Sequence, residues 1–337
     1  MRDVAELAGV SVATVSRVIS DSSSVQRKTR ERVLAAMAEL DYVLNGLAQS
    51  MQGKGTRAIG FLVNRMVGPT FADLASGVEE EVSGNGGLLT ILTTHGAPEQ
   101  EMEALRQMRE QRAKAVLLVG ASPTSEEYTE RLRKYRDFLA PTGTKLILCA
   151  RGPVPGVDGV DSVYYENRKG MRTATEHLLA QGHRNIVFLG AETNHSTAID
   201  RLDGFVDAFR SAGLEPHEQL ILRTAFDPDP AEAALEELIK AKVDFTAVVA
   251  ARDELAVRAL RVFRRHGIKV PDDVSLLGYD DMLFVGDLTP SLTTVRVPYR
   301  ELGRHSGKLV DGNSTAGSTQ VLPVEFITRE STGPAQR

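Results

Sequence analysis

From Ala58 onward the chain repeats one pattern: a short apolar run, a stretch of helical period, then another apolar run. Ala58–Val63, Leu88–Thr93, Ala115–Val119 and Lys145–Cys149 have strand character, separated by segments such as 71–83 and 99–112 whose apolar residues recur at helical spacing. A second series follows at 185–189, 220–223, Ala247–Ala250 and 274–277. Near-continuous apolar runs suit strands buried on both faces, and strands joined by helices pair in parallel. Two consecutive series therefore predict two Rossmann-like parallel-sheet subdomains. A ligand cleft is expected between them, at the C-terminal ends of the strands.

The chain has 337 residues, too many for one ordinary core. No apolar run is long enough to span a membrane, so no membrane partner is expected. The N-terminus MRDVAELAGV lacks a basic region leading into an apolar core, which argues against a secretory signal. The single cysteine, Cys149, has no internal disulfide partner, in keeping with a reducing cytoplasm. Its apolar neighbours mark it as a buried core thiol. Net charge is −5, but residues 1–57 hold eight Lys/Arg against six Asp/Glu, leaving −7 on the remainder. A mildly basic head on an acidic body fits a chain that meets nucleic acid at one end.

The head reads as three short helices. The first, 3–8, stops at Gly9, and Ser11 offers an N-cap oxygen to a second helix starting at Val12. There Val15, Val18 and Ile19 share one side and face a core, while Ala13 and Arg17 point away. A third helix over 27–41 has Val33, Leu34, Met37 and Leu40 as its expected core face. The segment 45–57 contains Gly46 and Gly53 and is too short to be a stable helix alone.

The string DVAELAGVSVATVSRV, with Thr29-Arg30-Glu31-Arg32-Val33 and Leu40-Asp41-Tyr42-Val43-Leu44-Asn45, closely resembles the helix-turn-helix of the lactose/galactose-repressor (LacI/GalR) family. The resemblance continues through Ala180-Gln181-Gly182-His183-Arg184-Asn185-Ile186, the run from Val270 to Asp281, and Leu288-Thr289-Pro290-Ser291-Leu292-Thr293-Thr294-Val295. It implies an all-α helix-turn-helix DNA-binding head (1–44), a hinge helix (45–57) and an α/β periplasmic-binding-protein-like effector domain (58–337). By analogy the first subdomain takes about 58–157 and 287–318, and the second takes about 158–286 and 319–330. The last strand, 320–327, is then expected in the second subdomain.

What the resemblance implies about DNA is residue-specific. Val12, Ala13 and Arg17 would read base edges, arginine's planar fork suiting guanine. Thr14, Ser16, Arg27, Lys28 and Tyr42 would position phosphates, with Asn45, Ala48 and Met51 acting from the hinge and Met51 as a minor-groove wedge. The first helix starts at Met1-Arg2 without the Thr-hydrophobic pair common in the family, and Gln26 stands where a capping serine is common, so both helices are expected to lack a side-chain cap. The chain ends without a heptad extension, which points to a homodimer and a near-palindromic operator.

The implied effector contacts are Phe71, Arg201, Phe226, Arg252, Asp253 and Asp280. Ala150 replaces a common strand-end aspartate and Arg252 a common asparagine, so the cleft shifts towards positive. A small carbohydrate-like effector with a negative group, held by Arg201 and Arg252, is the expectation. Alternatives for Arg252 are pairing with Asp253, Asp280 or Asp281. His177 and His183 read as structural, and no metal or cofactor is expected. No nucleophile-and-base arrangement points to an enzyme, and the acidic run at residues 79–81 reads as a solvated helix face. A solute-binding protein of the same fold would lack the DNA-binding head.

Overall fold

The computed structural model describes residues 1–19, 25–42, 58–66, 68–192, 194–224, 228–312 and 317–336. The chain divides into two units, Met1–Arg57 and Ala58–Arg337.

The first unit holds α1 (Arg2–Leu7), α2 (Val12–Ile19) and α3 (Arg27–Glu39). Val4, Ala5, Ala8, Val15, Val18, Val33 and Ala36 form its core. Arg32 of α3 donates to the carbonyls of Ala8 and Gly9 where α1 ends, satisfying acceptors that helix termini leave open. Neither α1 nor α3 has a side-chain cap. Leu34 and Leu40 are exposed, contrary to the expected core face. Ala36 takes the inward position one turn after Val33, Leu34 lies about 100° round the helix, and Leu40 falls beyond the last helical residue. The hinge segment, with Asn45, Ala48 and Met51, lies outside the described residues.

The second unit opens with β1 (Ala58–Val63), α4 (Pro69–Ser83), β2 (Leu88–Thr93), α5 (Pro98–Glu110), β3 (Ala115–Val119), α6 (Glu126–Leu139), β4 (Lys145–Cys149) and β5 (Asp161–Tyr165). Next come α7 (Asn167–Ala180), β6 (Ile186–Leu189), α8 (Ser196–Ser211), β7 (Ile221–Leu222), α9 (Pro228–Lys240), β8 (Ala247–Ala250), α10 (Asp253–His266), β9 (Ser275–Leu277) and β10 (Thr294–Arg296). The chain finishes with α11 (Tyr299–Asp311), β11 (Thr319–Leu322) and β12 (Glu325–Ile327). A parallel sheet of order β11-β5-β4-β3-β1-β2 forms the first subdomain, and one of order β7-β6-β8-β9 the second. Both faces of β1 are buried: Ile59, Phe61 and Val63 join one core, and Ala58 and Leu62 the other.

The crossings between subdomains come later than 157, 286 and 318. β5 pairs with β4 from Ile147↔Asp161 to Cys149↔Val163, so the first crossing follows Tyr165. β5 escaped the apolar pattern because it begins with polar residues: buried Asp161 accepts from the amides of Gly317 and Ser318 and from the Ser318 hydroxyl. Thr293 and Arg296 bridge to Leu277 and Asp280, which keeps β10 with the second subdomain and moves the next crossing to Val297-Pro298. The expected strand 320–327 is two strands. β11 pairs with β5, and only β12 returns, to β10. Pro323, without an N–H to donate, stands between them.

On the first sheet α11 lies against α4. A Cβ on Gly77 would run into the Arg300 carbonyl, and one on Gly303 into the Leu74 carbonyl, so glycine permits this close crossing. Glu80, expected on a solvated face, instead pairs with Arg300 and Arg304 and ties the two helices together.

Candidate functional site

The cleft lies where apolar strands end and polar residues begin. Arg65 follows β1, Gly120 follows β3, Arg151 lies just past β4, Tyr165 ends β5, Arg252 lies just past β8 and Asp280 comes shortly after β9; all line one cavity of about 630 Å³. Thr70, Phe71 and Leu74 of α4, Thr197 and Arg201 of α8, and Tyr299 of α11 close its sides. This is the strand-end location that doubly wound sheets offer a ligand, and the size suits a small molecule.

Arg201 is at the centre of the wall and only 1% exposed. Its Nε donates to Asn167 Oδ1 at 3.0 Å and its Nη1 to the Ala251 carbonyl at 2.5 Å. Nη2 donates to the Tyr165 hydroxyl at 3.1 Å and to Asp280 Oδ1 at 2.8 Å. The guanidinium also lies 3.8 Å above the Tyr279 ring, a cation–π contact. Burial works against its charge, but Asp280 more than offsets this and holds the pKa well above its ordinary value. Asp280 also accepts from the Tyr299 hydroxyl at 2.8 Å, and burial, reinforced by Asp280, pushes that phenol well above its ordinary range. Asp280 sits at φ 112°, a region that side-chain-bearing residues rarely adopt. Strain of this kind persists where surrounding contacts enforce it, often at ligand sites.

The other expected effector residues have separate fates. Phe71 lines the cleft, and Phe226 falls outside the described residues. Arg252 pairs with Glu254 at 2.8 Å, with Asp280 3.7 Å away, rather than with Asp253 or Asp281. Asp253 is not a cleft residue. It is 0% exposed, taking the Thr294 hydroxyl at 2.7 Å and the Met282 amide at 2.8 Å, and so ties β10 to the loop after β9. Burial, then the charge of Asp280, lifts its carboxyl to about 8. His183 bonds Thr246 and the Gly333 carbonyl, and His177 bonds Thr332. Cys149 is sealed in the core, its thiol pushed up to about 11 by burial.

Sequence reasoning missed Arg151, Tyr165, Tyr299 and the pair Glu192–His195. Tyr165 and Tyr299 flank two crossings, a position visible only once the strand pairing is known. Arg151 is buried, donating to the Tyr128 hydroxyl at 2.6 Å and to the Val119 carbonyl at 2.9 Å.

In the head, Ser11 Oγ accepts from the Thr14 amide at 3.1 Å and starts α2 as expected. Val12, Ala13 and Arg17 are exposed on one face, and Thr14 and Ser16 are half-buried beside them. Arg27 and Lys28 are exposed on the first turn of α3, with Arg27 bonded to Glu31 at 2.8 Å. Tyr42 packs partly against the head core. A short helix with small residues and an arginine outward has the dimensions and chemistry to enter a major groove.

A helix-turn-helix head joined to two parallel-sheet lobes around a polar cleft defines a ligand-responsive, DNA-binding transcription regulator. Residues 1–45 match the family model described as bacterial regulatory proteins, lacI family, and residues 175–332 match the periplasmic binding protein-like domain. The chain is 32% identical to the HTH-type transcriptional repressor PurR of Photobacterium profundum over 90% of this chain and 88% of that one. It is 33% identical to the HTH-type transcriptional regulator GalR of Escherichia coli over 98% and 95%. Among solved structures, the lac repressor dimer bound to operator and the anti-inducer ONPF superposes with TM-score 0.84 at 26% identity, covering 98% of each chain. The complex of the regulator CelR with cellobiose superposes at 0.72 with 30% identity, again covering 98% of each chain. The chain belongs to the LacI family.

Proposed function

We propose that this regulator represses transcription from the cytoplasm as a homodimer on a near-palindromic operator. Its grip is set by a small carbohydrate-like metabolite in the cleft, and it has no enzymatic role. Val12, Ala13 and Arg17 read bases, while Thr14, Ser16, Arg27, Lys28 and Tyr42 position phosphates; Asn45, Ala48 and Met51 contribute from the hinge. The observation that carries the reading is the Arg201–Asp280–Tyr299 web, which joins a helix of one lobe to a helix of the other through the cleft wall. A ligand that changes this web changes the lobe arrangement, and an effector acts only through such differential affinity. Dimerisation is supported by exposed apolar residues in both lobes: Leu88 and Ile91 on the edge strand β2, and Leu283 and Phe284 after β9.

The test is enrichment of random duplex DNA on the purified protein, followed by titration of the enriched site. A two-fold symmetric site, bound by a dimer and modulated by a compound that raises the melting temperature, is the expected result. No enrichment would overturn the DNA-reading role. Enrichment without any modulating metabolite would overturn control through the cleft.

A further inference from the structure

We propose that the effector carries an anionic group, a carboxylate or a phosphate, that docks on Arg151; this rests on the cleft being the effector site. Four arginines line the cleft against three carboxylates, Glu192, Glu254 and Asp280. Arg201 faces Asp280 at 2.8 Å and Arg252 faces Glu254 at 2.8 Å. Glu192 accepts from His195 at 2.9 Å, and Arg65 is exposed at the rim. The pairs on which sequence placed the negative group are thus already neutralised within the protein.

Arg151 is different. It is 7% exposed, and its two hydrogen bonds go to neutral acceptors, the Tyr128 hydroxyl and the Val119 carbonyl. Among the described residues no carboxylate lies within ion-pair distance of it, and its buried Nε has no hydrogen-bond partner. Neutral acceptors satisfy donors but leave the charge uncompensated, and charges inside proteins are ordinarily paired. A neutral sugar hydroxyl would accept a hydrogen bond and still leave that charge. An anion supplies the acceptor and the counter-charge together. Two of the five guanidinium donors are in use, so the terminal nitrogens keep hydrogens for an incoming anion. The preceding residue, Ala150, is held at φ 56°, a turn that L-residues seldom make, and both residues line the cavity at the end of β4.

The experiment measures calorimetric affinity and thermal shift at fixed ionic strength for aldoses, their aldonates and their monophosphates, on the full chain and on Arg151→Gln and Arg151→Lys. At least one anionic probe should bind more than about tenfold tighter than its neutral parent. Arg151→Gln should lose about thirty-fold or more of that affinity, and Arg151→Lys should keep part of it. Preference for aldonates or for sugar phosphates tells carboxylate from phosphate. Equal binding of anions by the wild type and Arg151→Gln overturns the proposal. Binding of neutral aldoses alone overturns it while leaving the effector cleft intact, and a panel with no response counts against both. If Arg151→Gln does not fold, failure of millimolar inorganic phosphate to compete with the bound anionic probe on the unchanged protein overturns it.

Discussion

The Ser196 amide donates to the Ser122 carbonyl at 2.9 Å, and the Ser122 amide donates back to Ser196 Oγ at 3.2 Å. One serine lies in the loop after β3 of the first lobe and the other opens α8 of the second. Beside them Pro123 bridges His195, and the Thr124 amide reaches the Asn194 carbonyl at 3.3 Å. The lobes are therefore clasped next to the cleft by backbone groups and the Ser196 hydroxyl, at the start of the helix that carries Arg201.

Ser196→Pro should open this clasp without breaking α8. Proline is tolerated at the first helical position, and His195, at φ −132° and ψ 138°, already has the geometry required before proline. Both bonds to Ser122 vanish, weakening the clasped arrangement by about 2 kcal/mol. Small-angle scattering should report an expanded effector domain, and effector affinity should fall about tenfold or more. Unchanged scattering and affinity would mean that closure is held elsewhere.

Arg201 and Asp280 form a buried pair, so removing one partner strands a charge. Arg201→Met and Asp280→Asn are each expected to lower stability by about 3 kcal/mol. The double variant should be less destabilised than the sum of the singles. Denaturant titration of the three variants decides the point. Additive losses would show that the two side chains contribute separately.

These residues also mark the limit of what sequence makes legible. Strands such as Ala247–Ala250 are near-continuous apolar runs and declare themselves. β5, with Asp161 and Ser162 buried in it, does not, because the Asp161 carboxylate is satisfied by Gly317 and Ser318, more than 150 positions away, and the Ser162 hydroxyl by the Arg151 carbonyl of the preceding loop. Resemblance located Arg201 and Asp280, but their pairing depends on how α8 meets the loop after β9. Asp253 was readable as a polar residue at a strand end, yet its direction was not: Met282 and Thr294 turn it away from the cleft. Arg151 carries no pattern at all, since only the fold shows that it is buried with no carboxylate paired to it among the described residues.

Asp253 should make stability fall as pH rises. Burial first, and then the charge of Asp280, hold its carboxyl at about 8 in the folded chain against an ordinary 3.8, despite the opposing bonds from Thr294 and Met282. With the folded value above the unfolded one, the native state holds the extra proton between them. The contribution is intact below about pH 4 and is lost, at up to about 1.4 kcal/mol per unit, until about pH 8. Asp253→Asn keeps a carbonyl to accept from the Met282 amide, can donate to the Thr294 hydroxyl and cannot ionise, so it should flatten this slope. Parallel pH profiles for the two proteins would show that Asp253 is ionised when native.

Arg17 and Lys28 should separate base reading from phosphate positioning. Arg17 is exposed on the same side of α2 as Val12 and Ala13, whereas Lys28 is exposed at the start of α3. Arg17→Ala should cost about 1–3 kcal/mol on the enriched operator and relax preference at one base pair per half-site. Lys28→Ala should weaken all duplexes alike and reduce the salt dependence of binding by about one charge per subunit. Titrations at several salt concentrations, on the operator and on scrambled DNA, distinguish them. If Arg17→Ala lost affinity equally on both duplexes, α2 would be holding the backbone, and base reading would have to be sought on another element.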